Sequence, residues 1–183
     1  MARFRRTERC SGNGPQSPEH GSVPHSGNGP DIQIREDDLT GPAIRAFLRD
    51  HLDHMHEITP PESVHALDMD GLRAPGITFW TAWAGPELVG CGALKERDPA
   101  SGEVKSMRTS PAYRGRGVGS RILEHLIAVA KGRGYRCLYL ETGAMPEFAP
   151  ARALYLRYGF TCCDPFAPYL PDPNSVFMVK RLD

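Results

Sequence analysis

Val104-Lys105-Ser106-Met107-Arg108-Thr109-Ser110-Pro111-Ala112-Tyr113-Arg114-Gly115-Arg116-Gly117-Val118-Gly119-Ser120 is the stretch whose reading decides the fold. Val104 to Thr109 reads as a short strand ended by Ser110-Pro111. Beyond the glycines, Val118, Ile122, Leu126 and Val129 recur at helical spacing, with Leu123, Ile127 and Ala130 beside them. A strand, a glycine-rich turn and a helix start leave several backbone N–H groups unpaired and pointing at one place. Such a nest favours an anion, because the free donors and the positive end of the helix dipole act together. Arg114 and Arg116 add charge, and Gly115, Gly117 and Gly119 let ligand oxygens come close to the backbone. The expectation is a phosphorylated ligand held at residues 114–120, from Arg114 through Val118 to Ser120.

The type of phosphate ligand follows from which motif is filled. A P-loop needs a Gly-Lys-Ser/Thr ending, which is absent. A dinucleotide fingerprint needs glycines at its first, third and sixth places; Gly115 and Gly117 fit, but Ser120 occupies the last. Arg-x-x-Gly-x-Gly is filled completely, by Arg114, Gly117 and Gly119. With it the chain resembles the GNAT superfamily of acetyl-CoA-dependent N-acetyltransferases, whose pyrophosphate signature opens a helix after a strand and a proline-containing turn. A second family element, Ala-x-x-Leu-Tyr-x-x-x-Gly-Phe, is matched by Ala151, Leu154, Tyr155, Gly159 and Phe160. The resemblance covers residues 31–183, with its specific motifs confined to 103–160. It implies acetyl-CoA as the acetyl donor and no metal. Two departures stand out: Phe148 where many members carry Asn, and Thr109 where Val or Leu is usual.

Composition sets the outer limits. The chain has 183 residues, the size of one domain with a single sizeable core. Its 22 Lys and Arg balance 22 Asp and Glu, which argues against a coat for nucleic acid or anionic membrane. No apolar run is long enough to span a bilayer. The basic start, Met1 to Arg6, has no apolar stretch behind it, so a secretory signal is not expected. Cysteines number 5 and form no Cys-x-x-Cys pair, which fits a reducing cytoplasm better than a disulfide framework or a zinc ribbon.

Organisation changes near residue 30. Residues 1–30 are nearly free of aliphatic side chains and repeat Ser-Gly-Asn-Gly-Pro at 11–15 and 26–30, so a disordered tail is expected. From Asp31 the patterning predicts a strand at Ile32–Ile34, a helix from Leu39 to Ile58 with Thr40 as N-cap, and a short helix from Pro61 to Leu72. Strands follow at 77–84 and 88–94, flanking the turn Gly85-Pro86-Glu87, and at 103–109. Then come a helix at 117–131, a strand at 137–141, a helix at 149–158 and strands at 160–163 and 176–180. The order βααβββαβαββ is that of a GNAT-like mixed α/β sheet of about six to seven strands with about four helices.

Acyl transfer to an amine sets the chemical requirements. An ammonium has no lone pair, and amines titrate near 8 to 10.4, so a base must take a proton. Glu103 is the first candidate, because an even offset along a regular strand puts it on the face of Met107. Glu141, at a strand end beside Thr142, is the second, and a water chain is the third option. The resemblance implies that the main chain of Met107, Arg108 and Thr109 pairs with the pantetheine arm. It also implies that Tyr155 supports the departing thiolate. His56 and Glu57, with Ser63 and His65, fall in the segment that lines the acceptor site in the resembled family. Metal binding by His51, His54 and His56 is set aside, because their spacing matches no familiar zinc pattern.

The function expected is direct acetyl transfer to a primary amine of a small molecule, an amino acid or a peptide. Two alternatives stand beside it: a non-catalytic acyl-CoA-binding module of the same fold, and an RNA-binding module. The second would use Arg108, Arg114, Arg116, Arg121, Lys131, Arg133 and Arg136, a set without interleaved aromatics. The proline-rich stretch 164–174, with Phe166 and Tyr169, is expected to wall the acceptor pocket or to pack as a rigid connection. A homodimer paired through an edge strand at 176–180 is the oligomeric expectation.

Overall fold

The computed structural model describes residues 31–60, 63 and 67–183. The expected tail at 1–30, the start of the second helix at Pro61-Glu62, and His65 lie outside the described residues. Elements run β1 (Ile32–Glu36), α1 (Pro42–Ile58), α2 (Met69–Leu72), β2 (Ile77–Ala84), β3 (Glu87–Asp98) and β4 (Ser101–Thr109). They continue with α3 (Val118–Gly132), β5 (Cys137–Gly143), α4 (Ala149–Arg157), β6 (Thr161–Cys162) and β7 (Ser175–Arg181). One 7-stranded sheet holds them in the order β1-β2-β3-β4-β5-β7-β6. Among the described residues, only β4 and β5 pair in parallel, joined by α3 as the crossover helix.

Period-two alternation sorts side chains to two cores. Trp80, Ala82, Leu94, Val104, Leu138 and Leu140 face α3 and α4. Phe79, Cys91 and Ala93 face α1 and α2, where Leu39, Ile44, Leu48 and Leu72 cover them. On α3, the buried set Val118, Ile122, Leu123, Leu126 and Ala130 lies at helical spacing on one stripe. The close fit is visible at Gly92, where an added Cβ would stand 2.8 Å from Ile122 Cγ2 and 3.2 Å from Leu126 Cδ1. Burying an aliphatic side chain contributes about 1.5–3 kcal/mol. That outweighs the loss of about a few tenths of a kcal/mol from starting α3 on a glycine in place of a side-chain cap.

Three local expectations are corrected. Thr40 does not cap α1; Gly41 holds that place, because Asp37 and Asp38 have already turned the chain. Asp37 Oδ1 accepts from the Leu39 N–H at 2.7 Å, and Asp38 Oδ1 accepts from both the Thr40 N–H and its hydroxyl. Leu67 and Asp68 are not helical: Asp68 caps the short α2 by accepting from the Gly71 N–H at 2.8 Å. Strand β7 is not an edge either. It lies between β5 and β6, and β6 already occupies the middle of the stretch imagined for a dimer, at Met178 and Val179.

The sheet opens where function was expected. β4 and β5 pair from Ser101 with Cys137 to Val104 with Leu140, and there the ladder stops. Both strands run on, to Thr109 and Gly143, without pairing to each other. A bulge lies just past the parting point: between Cys91–Ala93 on β3 and Lys105–Arg108 on β4, two residues oppose one. Ser106, at φ 51°, is the residue that takes up the extra length.

Candidate active site

The glycine turn expected to hold phosphate forms a strand-to-helix connection. After β4, a single 3-10 turn at Pro111–Tyr113 leads into Gly115 and Gly117, at φ 74° and 82°. Both sit in the left-handed region that costs an L side chain about 1–2 kcal/mol. Gly117 is the N-cap of α3 and offers no side chain to the first turn. The backbone N–H groups of Val118, Gly119 and Ser120 therefore find no partner among the described residues. Arg114, Gly115, Arg116 and Gly117 are exposed around them, while Val118 turns its side chain into the core. Arg116 stacks over Tyr113 at 5.2 Å, and the Tyr113 hydroxyl donates to Glu87 at 2.8 Å. A Cβ on Gly119 would stand 3.3 Å from Leu154 Cδ2, a tight approach, and in ordinary contact with Thr109 Oγ1 at 3.5 Å. Free donors, a helix of 15 residues behind them and open space at both left-handed glycines fit a pyrophosphate.

Across the sheet, on the α1 face, lies a buried polar cluster. Glu103 is 1% exposed, and its Oε1 accepts from the Tyr169 hydroxyl at 2.5 Å. Lys105 Nζ donates to that same Tyr169 oxygen at 2.6 Å and stands 3.4 Å from Glu103. Burial, then the Glu103 charge, pushes the Tyr169 phenol well above the ordinary tyrosine value. Tyr169 comes from the connection between β6 and β7, which also brings Phe166 into an aromatic group with Tyr139 and Phe177. Arg97 pins that connection: it donates to the Ala167 carbonyl at 3.2 Å and lies over the Tyr139 and Phe166 rings. The loop expected to wall the pocket thus covers Glu103.

Tyr155, on α4, is buried against Phe160 on the opposite face. Burial, with the Glu141 charge as a smaller contribution, raises its phenol far above the ordinary value, so the side chain is a hydrogen-bond donor at neutral pH. Glu141 is half-buried on β5, and its Oε1 accepts from the Ser175 hydroxyl at 2.7 Å. Thr142 is buried beside it. Phe148, the departure from the family pattern, packs against Gly143, where a Cβ would collide with its ring.

The bulge overturns one expectation. Cys91 pairs with Arg108 and Ala93 pairs with Lys105, so Lys105 and Arg108 share the α1 face despite an odd offset. Met107 is sent to the α3 face, where it packs on the core near Gly92. Glu103 and Met107 are therefore on opposite faces, because Ser106 breaks the alternation between them. His56 and Glu57 are exposed on the last turn of α1, with Glu57 3.6 Å from His54; among the described residues no hydrogen bond or ion pair joins them to β4 or β5. The basic set considered for RNA is dispersed: Arg133 donates to Thr78, Lys131 to the Asp183 carbonyl, and Arg108 faces α1.

Sequence reasoning left Lys105 and His51 without a role. Lys105 carried a signal, since Glu103 and Lys105 flank Val104 and a central strand whose alternate residues are charged must either meet water or pair internally. His51, half-buried on α1, is pushed down to about 4 by burial and by the Arg108 charge, which leaves it neutral at pH 7.

Unpaired N–H groups at a helix start beside a parted strand pair are the geometry that the GNAT resemblance implies. The profile of the Acetyltransferase (GNAT) family matches residues 43–160. The chain is 54% identical over 151 residues to the uncharacterized N-acetyltransferase YsnE of Bacillus subtilis, covering 82% of this chain and 100% of that one. It is 50% identical over 149 residues to the uncharacterized N-acetyltransferase YedL of Escherichia coli, covering 81% and 94%. A solved GNAT family acetyltransferase from Elizabethkingia anophelis with acetyl-CoA bound shares the fold, at TM-score 0.58 and 18% identity, over 83% of this chain and 99% of that one. The chain belongs to the GNAT acetyltransferase family. It is an N-acetyltransferase with acetyl-CoA as its donor. Among the described residues, no helix is long and apolar enough to cross a membrane.

Proposed function

We propose that the protein transfers the acetyl group of acetyl-CoA directly to the primary amine of a small molecule, an amino acid or a peptide. The observation that carries this reading is the combination of free N–H groups at the start of α3 with the parting of β4 and β5 at Val104 and Leu140. The first holds the pyrophosphate; the second frees the main chain of Met107, Arg108 and Thr109 to pair with the pantetheine arm. A backbone N–H there can also hydrogen-bond the acetyl oxygen as negative charge builds on it. Arg114 and Arg116 add charge at the nest rim.

In the reaction, the amine nitrogen bonds to the acetyl carbon, the carbon–sulfur bond breaks and one amine proton passes to a base. Glu103 serves through the Tyr169 phenol or through a water, since its carboxylate is enclosed; Glu141 is the other candidate. Tyr155 donates a hydrogen bond to the departing sulfur. Its raised pKa makes full proton transfer to a thiolate of ordinary pKa near 8.5 unfavourable, so it stabilises the sulfur and the proton arrives from elsewhere. Thr142, beside Glu141, and the His56–Glu57 end of α1 complete the acceptor side.

The test is to incubate the protein with acetyl-CoA and a panel of amines, amino acids and peptides, following free thiol release and product mass. Amine-dependent thiol release with a stable acetylated amine supports the reading. Saturable acetyl-CoA binding without turnover of any amine would point to the non-catalytic acyl-CoA-binding module.

A further inference from the structure

Arg108 carries a charge that the protein does not neutralise. Its Nη1 is buried and has no hydrogen-bond partner among the described residues. The bulge at Ser106 turns the side chain to the α1 face, where its guanidinium lies 5.0 Å from the Phe47 ring centroid. It does so beyond Val104, on the part of β4 that β5 has left.

The groups around it do not answer the charge. Asp50 on α1 is near enough to feel it, yet no ion pair to Arg108 forms among the described residues. Cys91, opposite it on β3, is a fully buried thiol pushed up to about 12, so it presents no thiolate. His51 is neutral at pH 7. Burying a guanidinium N–H without an acceptor is costly unless something supplies one. The planar fork of arginine suits a carboxylate, which can accept two parallel hydrogen bonds. Phosphate, the other anion of that chemistry, already has its own donors at the start of α3, on the opposite face of the sheet.

We propose that the Arg108 side chain binds a carboxylate of the acceptor, so that the substrate is an amino acid with its carboxylate close to the amine it offers. This rests on the acetyltransferase reading above. It narrows that reading: peptide N-termini and simple polyamines lack a carboxylate beside the reacting nitrogen. Phe47, with its ring centroid 5.0 Å from the guanidinium, supplies an apolar wall beside it.

The experiment compares free amino acids with their carboxamides as acceptors, for the wild type, Arg108→Lys and Arg108→Met. Melting temperatures check that each variant folds. The wild type should favour the acid over the carboxamide by about a hundredfold in kcat/KM, mostly through KM. Arg108→Met should bring that ratio near one, and Arg108→Lys should fall between, since it keeps the charge and loses the fork. A wild type that acetylates carboxamides as well as acids would overturn the proposal, as would an Arg108→Met variant that keeps the acid preference. An acetyl-CoA titration of the wild type separates the two readings. Donor binding with turnover of carboxamides sinks the carboxylate site alone, whereas no donor binding and no turnover sinks both.

Discussion

Replacing Gly117 with glutamate sets two costs against each other that can be measured separately. Gly117 lies at φ 82°, with open space where a Cβ would go, so the side chain meets no clash and the first cost is backbone strain. An L residue in that region loses about 1–2 kcal/mol, which in a protein of this size lowers Tm by roughly 2–8 °C. The second cost is electrostatic and falls on binding. A carboxylate about 5 Å from one phosphate charge, at an effective dielectric near 20, is disfavoured by about 3 kcal/mol before salt screening. That corresponds to a loss on the order of a hundredfold in acetyl-CoA affinity, and to at least tenfold once screened. Gly117→Ala carries the strain without the charge. Gly134→Ala carries the same kind of strain at φ 77° beyond the other end of α3, also with open space around it. Calorimetric titration of acetyl-CoA, beside thermal melts, reads both terms. All three variants should lose stability by similar amounts, and only Gly117→Glu should lose most of its affinity. Wild-type acetyl-CoA affinity in Gly117→Glu would refute the placement of the pyrophosphate at the start of α3.

Other outcomes follow from the same geometry. Tyr155→Phe should lower kcat about ten- to a hundredfold while acetyl-CoA affinity stays within about twofold, the pattern of an interaction made to the leaving group. With the Tyr155 phenol raised by burial, the wild-type rate should show no alkaline limb from that residue below about pH 10; an unchanged kcat in Tyr155→Phe would remove its role. Glu103→Gln should cost about a hundredfold or more in kcat if Glu103 is the base, whereas a larger loss in Glu141→Gln would transfer that role. His51 has its pKa lowered from 6.5 to about 4 in the fold, so the unfolded chain binds its proton first. Stability should therefore fall as pH drops from about 6.5 towards 4. Denaturation curves across that window should slope less steeply in His51→Gln, and identical slopes would contradict the burial argument.

The glycine turn and the helix behind it were legible because glycine and a strong apolar period each constrain the backbone locally. Val118, Ile122, Leu126 and Ala130 share one buried stripe, and Gly117 could be read as a left-handed residue from its place before the stripe. The order of elements, with the parallel β4–β5 pair joined by a helix, followed from the same periodicities and from the resemblance. The face of β4 was not legible, because nothing at Ser106 signals positive φ as a glycine would have done. The partner of Glu103 was equally hidden: Tyr169 is 66 residues away, and such a contact is fixed by tertiary packing alone. Thr40 misled because a good capping residue two places past an aspartate can be captured by that aspartate instead.

Ser106 gives β4 an odd kind of vulnerability. Substitutions there touch one residue, and a glycine would relieve its strained backbone. Removing the residue altogether would restore simple alternation and leave Met107 towards α3 and Arg108 towards α1, whereas a regular ladder that still contained Ser106 would exchange those faces. What the segment should refuse is loss of the bulge while Ser106 remains. The bulge, by absorbing one extra residue, keeps the side chains after it on the faces a regular strand one residue shorter would give them.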